Sequence, residues 1–395
     1  MSANARFSSH ARRTTDHAVS RAYACLAGEE RASFTDLLDA VRRRTAVRMC
    51  PPVVAVLHNV ARFAPRFVRP LAEWRGGGGA MYPVVHALVQ HLLAVHEVPR
   101  FLASVWYGDA SASADVKRRW FIAHAAGTRF RDLDLPLPMT RRMESVFLRS
   151  PDHLSVEAAM RRAELLALGA TDALVNAVLV TRLGAELANG PFWRTVMAFF
   201  VQASERLDPG VVGPIIDFIQ YVRHERVEVI TDNGVRFVDP PDPCFSIKGR
   251  SLASMQRLVD GWHRALGAKS GSGLSWTRSR FRPATFADPP AEPDRPPVRW
   301  ELVELASSEQ LRAEGQALQH CVASYARRCL WGFCEIWSLR RSGASSNFRS
   351  VATIEVDPRA RAIVQARGMR NGPLSARARD LVGQWARREN LALRA

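Results

Sequence analysis

Apolar residues recur three and four positions apart along much of the chain between residues 21 and 230, which is the spacing of an amphipathic α-helix. Proline and glycine residues separate these segments. In one segment Ser155 is positioned to cap the first turn, and Gly169 stands where a helix commonly ends. The pattern predicts a mostly helical N-terminal region, with helices at 35–48, 155–168, 173–187, 193–202 and 209–223.

The period of the pattern changes after residue 226. Residues 227–238 alternate around Asn233 and Gly234, a pair that is typical of a tight β-hairpin turn. Residues 251–266 return to helical spacing with one apolar stripe. Glycine, serine and proline are frequent in residues 267–297, which predicts a linker.

Strands and helices are predicted in close succession over the last hundred residues. A helix capped by Ser307 or Ser308 is expected to run to about residue 328, and a helix capped by Ser375 is expected at 374–391. The order β-α-β-β-β-α, with short connections between its last three strands, favours an antiparallel sheet with helices on one face. The four strands are predicted at 299–305, 334–340, 351–356 and 362–367.

These elements predict a multidomain protein, in which a mostly α-helical N-terminal region precedes a small α+β C-terminal domain. The expected parts are a disordered N-terminus at 1–20, a helical region at 21–240, a proline-rich break and helix at 241–266, the linker at 267–297 and the α+β domain at 298–395.

Charge adds a second kind of evidence. The 395-residue chain carries 55 basic and 38 acidic residues, a net charge of +17, and a surface this basic attracts nucleic acid or acidic membranes. Only three of the basic residues are lysines. An excess of arginine over lysine is also what a GC-rich genome encodes, so the charge alone leaves nucleic-acid contact and genome composition both open.

Targeting signals are not visible in the sequence. No apolar segment follows the basic N-terminus as it does in a secretory signal, and no run of about 18 apolar residues occurs. We therefore expect a cytoplasmic protein with reduced cysteines and no membrane partner.

The densest group of chemically capable residues lies in residues 311–340, LRAEGQALQHCVASYARRCLWGFCEIWSLR, followed by ATIEV at 352–356 and VQARGMRN at 364–371. This combination resembles the PcfJ-like family, which is named after a component of a conjugative-plasmid gene cluster. The resemblance implies a protein associated with a mobile element, a plasmid or a phage, and it implies no particular reaction. Its motif positions are His320, Cys321, Tyr325, Ser338, Arg340, Glu355, Gln365 and Asn371.

Helical geometry constrains what these residues can do together. On a continuous helix His320 and Cys321 point about 100° apart, so they do not form a nucleophile–base pair with each other. Gly315 falls on the stripe that faces the sheet, and we expect it to permit close helix–sheet packing. Glu355 and Thr353 are expected on the solvent side of their strand, with Glu355 paired to Arg340 across the sheet.

Three interpretations of the motif remain open at this stage. Cys321 is either a nucleophile served by a His or Glu from elsewhere or a small buried hydrophobic residue. A zinc site of Cys321, Cys329, Cys334 and His320 is disfavoured because the cysteine spacing lacks a close pair, so no metal or cofactor is predicted. Converging polar groups would instead form a pocket for a phosphate, a base or a peptide. The catalytic candidates are His320, Cys321 and Glu355, and the ligand-binding candidates are Tyr325, Ser338, Arg340, Gln365, Arg367 and Asn371.

Arginine also dominates the last hairpin and the last helix, where its planar guanidinium suits phosphate. The nucleic-acid contacts predicted there are Arg359, Arg361, Arg370, Arg377 and Arg379.

The function favoured by these observations is a nucleic-acid-associated accessory protein of a mobile element, which binds an anionic ligand through its basic C-terminal domain. Its expected partners are DNA or RNA and other proteins of the element. The alternatives are an enzyme, a nuclease or a transferase, with a pocket around His320, Arg340 and Gln365, and a protein–protein adaptor.

Overall fold

The computed structural model describes residues 3–108, 110–231, 234–269, 273–289, 297–320, 322–342 and 347–393. The chain forms two compact units. One holds the residues up to Gly169 together with Ala185–Gly190, and the other holds Ala170–Gly184 and the chain from Pro191 onward.

The first unit is built from helices around one apolar core. Its α-helices are α1 (Ala3–Ala24), α2 (Gly28–Arg44), α3 (Pro51–Ala61), α4 (Met81–Leu93), α5 (Ala112–Ala125), α6 (Arg141–Phe147) and α7 (Val156–Leu168). Ser155 caps α7 and Gly169 ends it with a φ of +94°, as the sequence predicts. The helix α1 covers most of the segment expected to be disordered, because Ala18, Val19 and Ala22 pack against the core.

The second unit begins with helices and a hairpin: α8 (Asp172–Leu179), α9 (Gly190–Gln202), α10 (Val212–Arg223), β1 (Val227–Thr231), β2 (Gly234–Val238) and α11 (Leu252–Lys269). The strands β1 and β2 pair antiparallel, as the pattern of residues 227–238 predicts. The helix α8 is shorter than the predicted segment 173–187, because Thr181 closes a separate turn with its side chain.

The rest of the second unit is a six-stranded sheet with helices. Its elements are β3 (Ala284–Asp288), β4 (Val298–Leu305), α12 (Ser308–Leu318), α13 (Ala326–Leu330), β5 (Glu335–Ser342), β6 (Phe348–Asp357), β7 (Ala362–Arg367), α14 (Ala376–Glu389) and β8 (Ala392–Leu393). The strands lie in the order β3 to β8, antiparallel up to β7, whereas β8 pairs parallel to β7. The sheet is therefore mixed, and not wholly antiparallel as expected. The strand β3 falls inside the segment predicted as a linker, because Phe281 and Ala284 are buried in the sheet core.

Helices cover both faces of this sheet, and not one face as the sequence suggests. On one face α14 buries Trp385 and Leu381 against Trp337 and Ile354. On the other face Leu311 of α12 packs with Ile336, which is the strand neighbour of Trp337. Neighbouring strand residues point to opposite faces. Thr353 and Glu355, which were expected on the solvent side, therefore lie on the face that α12 and α13 cover.

The helix predicted to run to about residue 328 is interrupted. Ser307 caps α12, but the helix ends at Gln319, whose backbone is left-handed with a φ of +54°. The chain then folds back, and the His320 N–H donates to the Gly315 carbonyl at 3.1 Å, the pattern of a Schellman turn. The helical-wheel positions predicted beyond Leu318 therefore do not apply.

Candidate functional site

Glu314 occupies the centre of the space between α12 and the sheet. Only 2% of its surface is exposed. Its Oε2 accepts hydrogen bonds from the hydroxyl groups of Ser338 at 2.8 Å and Ser350 at 2.6 Å, and its Oε1 accepts from Thr353 at 2.9 Å. Strands β5 and β6 thus supply the hydroxyl groups, and α12 supplies the carboxylate.

Burial raises the pKa of Glu314, although the three hydroxyl groups act in the opposite direction by stabilising the charged form. Glu314 is not among the residues predicted for the site from the sequence. The available signal was a glutamate at three and four positions from Leu311 and Leu318, on the apolar stripe of an amphipathic helix. A carboxylate at such a position must find partners on the surface that it packs against.

His320 extends the same network. Its Nε2 lies 2.9 Å from the Thr353 hydroxyl oxygen. When Thr353 gives its single proton to Glu314, the hydroxyl oxygen is an acceptor, so Nε2 of His320 carries a proton and donates it. The chain Glu314–Thr353–His320 thus joins a buried carboxylate to an imidazole.

Burial also controls the charge of His320. Its side chain is enclosed, and desolvation lowers the pKa of its imidazole to about 4. The imidazole is therefore neutral at neutral pH. A base this weak lies far from the pKa near 7 that suits general-base catalysis.

Gly315 is required by the turn that brings His320 to this place. A β-carbon on Gly315 would lie 2.9 Å from the His320 carbonyl oxygen. The close approach is therefore to the returning chain, and not to the sheet as the sequence analysis expected.

Glu355 and its surroundings form a separate group. Its carboxylate pairs with the Arg328 guanidinium at 3.1 Å, and burial raises its pKa. Arg328 also stacks over the Tyr325 ring at 4.9 Å, and Gln365 lies opposite Glu355 on β7. The ion pair expected between Glu355 and Arg340 is absent among the described residues, because β5 places Arg340 opposite Ser350.

Arg340 makes other contacts. Its NH1 lies 3.5 Å from Glu301, and its Nε donates to the Ser338 hydroxyl at 3.3 Å. Arg340 thus contacts the Glu314 network through Ser338, whereas Gln365 lies on β7 opposite Glu355.

Of the cysteines in the motif, the structure describes Cys329 and Cys334. Cys321 lies outside the described residues. Cys329 and Cys334 are both buried, with their sulfur atoms 3.7 Å apart. The neighbouring Cys334 and burial raise the pKa of Cys329, which keeps this thiol protonated. Within the described part of the chain no group of three or more metal-ligating side chains occurs.

Arg367 and Asn371 connect the sheet to α10. The Asn371 side-chain amide donates to the carboxylate of Asp217, and Arg367 is near enough to lower the pKa of that carboxylate. Burial is the larger effect and raises the pKa of Asp217 to about 6. Gly213 permits this approach, since a β-carbon there would lie 3.2 Å from the Arg370 carbonyl oxygen.

A cleft of about 780 Å³ opens within the second unit, bordered by α10, α11 and α12. This volume falls in the range of small-molecule sites. Three arginines line the cleft, Arg264, Arg312 and Arg370, and Asp260 is the single carboxylate among the described residues that do so. His263, whose pKa is lowered by burial, and His320 also line it. With both imidazoles neutral, the lining is positively charged.

Strained backbone also occurs at the cleft. Arg370 has a φ of +53°, and its Nε donates to the Gln319 side chain at 2.7 Å. Its NH1 pairs with Asp208 at 2.8 Å. Two left-handed residues other than glycine are thus tied to each other at one edge of the cleft. Such strain is concentrated at ligand sites in many proteins.

The other arginines predicted to contact nucleic acid are dispersed. Arg377 pairs with Asp288 and Asp380, and Arg361 donates to the Glu389 carbonyl. Arg379 donates to the Leu374 carbonyl, and Arg359 packs over Phe333. Of the five, only Arg370 lines the cleft.

Comparison with known proteins agrees with the motif. Residues 301–382 match a family model described as PcfJ-like protein, which confirms the resemblance over the C-terminal region. The match includes α12, β5, β6 and β7, and therefore the Glu314–Thr353–His320 chain. No curated protein and no solved structure matches the chain. Among the described helices none is sufficiently long and apolar to span a bilayer.

Proposed function

We propose that the second unit binds a phosphate-bearing ligand in the cleft between α10, α11 and α12, and that the protein is a nucleic-acid-associated accessory protein of a mobile element. The observation that carries this proposal is the placement of three arginines around a cleft of about 780 Å³ that has one carboxylate in its described lining. A guanidinium group can donate two parallel hydrogen bonds to two oxygens of one phosphate. The net charge of +17 attracts a polyanion to the surface. The association with a mobile element comes from the resemblance to the PcfJ-like family.

The buried network under the cleft has a supporting role in this proposal. Glu314, Thr353 and His320 hold the turn after α12 against the sheet, and this turn presents Gln319 to Arg370. A rigid edge of this kind positions a guanidinium before the ligand arrives, which reduces the entropy lost on binding.

The test is a salt titration of binding to fluorescently labelled DNA and RNA. The wild type is compared with Arg264→Gln/Arg312→Gln in the cleft and with Arg379→Gln/Arg387→Gln on α14, which removes the same charge. We expect the cleft variant to bind about tenfold more weakly and to lose about two units of the slope of log K against log salt. Equal losses in the two variants would show that binding is spread over the surface, and absence of salt-dependent binding would reject the proposal.

An enzyme is the second candidate, because His320 borders the cleft and is linked through Thr353 to a buried carboxylate. The reaction considered is cleavage or transfer at a phosphodiester. The test is incubation of the wild type and His320→Gln with single-stranded and duplex substrates in the presence of Mg²⁺. Cleavage by the wild type that is lost in the variant, at an unchanged melting temperature, would establish this role. The low pKa of His320 is the reason for preferring the binding function.

The adaptor function needs a broad apolar surface on the helices. In the described part of the first unit only three large apolar side chains have marked exposure, Tyr23, Val68 and Val95, which is few for a docking surface. We therefore give this function the lowest rank.

A further inference from the structure

A turn between α13 and β5 presents aromatic rings to solvent. Leu330 is 39% exposed and Phe333 is 48% exposed, and Trp331 between them is half-buried. The rings of Trp331 and Phe333 meet edge to face, with their centroids 6.1 Å apart. Single exposed apolar residues are ordinary on a protein surface, but three within four residues form a patch that calls for a partner.

The backbone of this turn is held in place, so the positions from which the rings project are set before any partner arrives. Gly332 adopts a φ of +66°, and its N–H donates to the Cys329 carbonyl at 3.0 Å. The Phe333 N–H donates to the Arg328 carbonyl at 2.9 Å. Cys329 and Cys334, on either side of the turn, are buried. The exposure of Phe333 is thus a consequence of an anchored turn and not of a frayed end.

One guanidinium group lies directly over a ring of the patch. Arg359 lies over Phe333, with its central carbon 5.2 Å from the ring centroid. The central carbon of the Arg328 guanidinium lies 4.9 Å from the centroid of the Tyr325 ring, and Arg328 forms an ion pair with Glu355. Arg280 donates to the carbonyl of Pro358, next to Arg359. The patch therefore combines aromatic faces with the guanidinium group of Arg359 at its margin, and Asp357 lies beside it, since its carboxylate accepts from the Arg359 N–H at 2.9 Å.

From this combination we infer that residues 328–333 and Arg359 form a surface for single-stranded nucleic acid. Exposed bases stack on the ring of Trp331 and on the face of Phe333 that Arg359 does not cover, and the backbone phosphates lie against Arg359 and Arg280. Stacking on aromatic side chains together with cationic contacts to the backbone is the usual recognition of single strands. Duplex is excluded, since its bases are already stacked and paired. The inference rests on the proposed function and names the form of nucleic acid involved.

The experiment distinguishes contacts to the bases from contacts to the phosphates. Binding of the full chain is measured by fluorescence anisotropy with three labelled probes: an oligothymidylate, an abasic strand of equal length, and a duplex. The wild type is compared with Trp331→Leu/Phe333→Leu, and Phe348→Leu, which changes another exposed ring of the same unit, is the control. We expect the wild type to bind oligothymidylate about tenfold or more tightly than the abasic strand. This preference should disappear in the double variant and persist in the control.

Two results would overturn the inference. One is equal affinity of the wild type for the oligothymidylate and the abasic strand, and the other is a base preference that survives in the double variant. Both are distinguishable from failure of the proposed function, in which the wild type binds none of the three probes in a salt-dependent way.

Discussion

Glu314 lies on the face of α12 that packs on the sheet, where an apolar residue would be expected. Its buried carboxylate is tolerated there because Ser338, Ser350 and Thr353 each donate a hydroxyl hydrogen bond to it. A buried carboxylate without such partners would be strongly destabilising. Glu314 and the three hydroxyl residues therefore stabilise the fold only when all of them are present.

Removal of the acceptor should be much more costly than removal of the charge. Glu314→Leu leaves the hydroxyl groups of Ser338, Ser350 and Thr353 without their acceptor, and we expect the free energy of unfolding to fall by about 3 kcal/mol or more. Glu314→Gln keeps a side-chain carbonyl, and we expect a loss below about 1 kcal/mol. Urea unfolding at neutral pH measures both, and equal losses would contradict the network described above.

The neutral state of His320 gives a defined pH dependence. Its folded pKa of about 4 lies below the ordinary value of 6.5, so the unfolded chain takes up a proton first as the pH falls. The contribution of neutral His320 to the free energy of unfolding is fully present above pH 6.5. As the pH falls from 6.5 to 4, this contribution decreases by about 3 kcal/mol. His320→Gln should remove this dependence.

The measurement is urea unfolding of the wild type and His320→Gln at several pH values between 7 and 4. The difference between the two proteins isolates His320 from Glu314 and Asp217, whose raised pKa values act in the opposite direction. Parallel stability profiles would show that His320 is not buried in its neutral form.

At the scale of the elements, the end of α12 determines the site. The helix ends at Gln319 because the chain turns into the left-handed region there and returns across Gly315. This return places His320 against β6 and Gln319 at the cleft. An uninterrupted helix would have moved both residues away.

Gly315→Ala tests this turn. Alanine favours helix by about 1 kcal/mol over glycine, but its β-carbon would lie 2.9 Å from the His320 carbonyl oxygen, so we expect a net loss of about 2 kcal/mol. Gly261→Ala on α11 is the matched control, since the nearest atom to its β-carbon is 4.0 Å away, at the tip of Arg264. We expect Gly261→Ala to raise the melting temperature and Gly315→Ala to lower it. Stabilisation by both would disprove the close approach.

At the scale of the whole molecule, the second unit joins two kinds of structure that the sequence analysis assigned to separate domains. The helices α8 to α10 were expected to belong with the helices before them, and α11 was expected in a separate segment. The chain places these helices in one compact unit with the sheet. The hydrogen bond between Asn371 and Asp217 and the ion pair between Arg370 and Asp208 lie within that unit. The cleft is formed between the helices and the turn after α12, so it exists only in the assembled unit.

Asn371→Ala should weaken the contact between the sheet and α10 in a pH-dependent way. The pKa of Asp217, about 6 in the folded state, is above the ordinary value of 3.8, so its ionisation reduces stability as the pH rises from 3.8 to 6. The Asn371 amide stabilises the charged form. We expect its loss to cost at least about 1 kcal/mol more at pH 8 than at pH 5.

Asn390→Ala is the control for backbone strain, because Asn390 and Asn371 are both left-handed, with φ values of +55° and +59°. Urea unfolding at pH 5 and pH 8 should give a pH-dependent difference for Asn371→Ala only. The same profile in both variants would mean that the strain, and not the contact with Asp217, is responsible.

The sequence by itself determined the local elements and the family resemblance. The alternation of apolar residues located β4, β5, β6 and β7 to within a few residues, because side-chain period follows directly from backbone geometry. Ser155, Ser307 and Ser375 cap their helices as predicted, since capping depends on the nearest turn alone. The motif in residues 311–371 was sufficient for the PcfJ-like resemblance, which the family match confirms.

Only the tertiary structure decided which of these residues meet. Thr353 and Glu355 alternate with apolar residues and therefore appear exposed, but α12 and α13 cover that face of the sheet. The partner of Glu355 is Arg328 and not Arg340, because the interruption after α12 redirects the chain. Burial, the low pKa of His320 and the arginine-lined cleft all depend on contacts between residues distant in sequence, and no local pattern encodes such contacts.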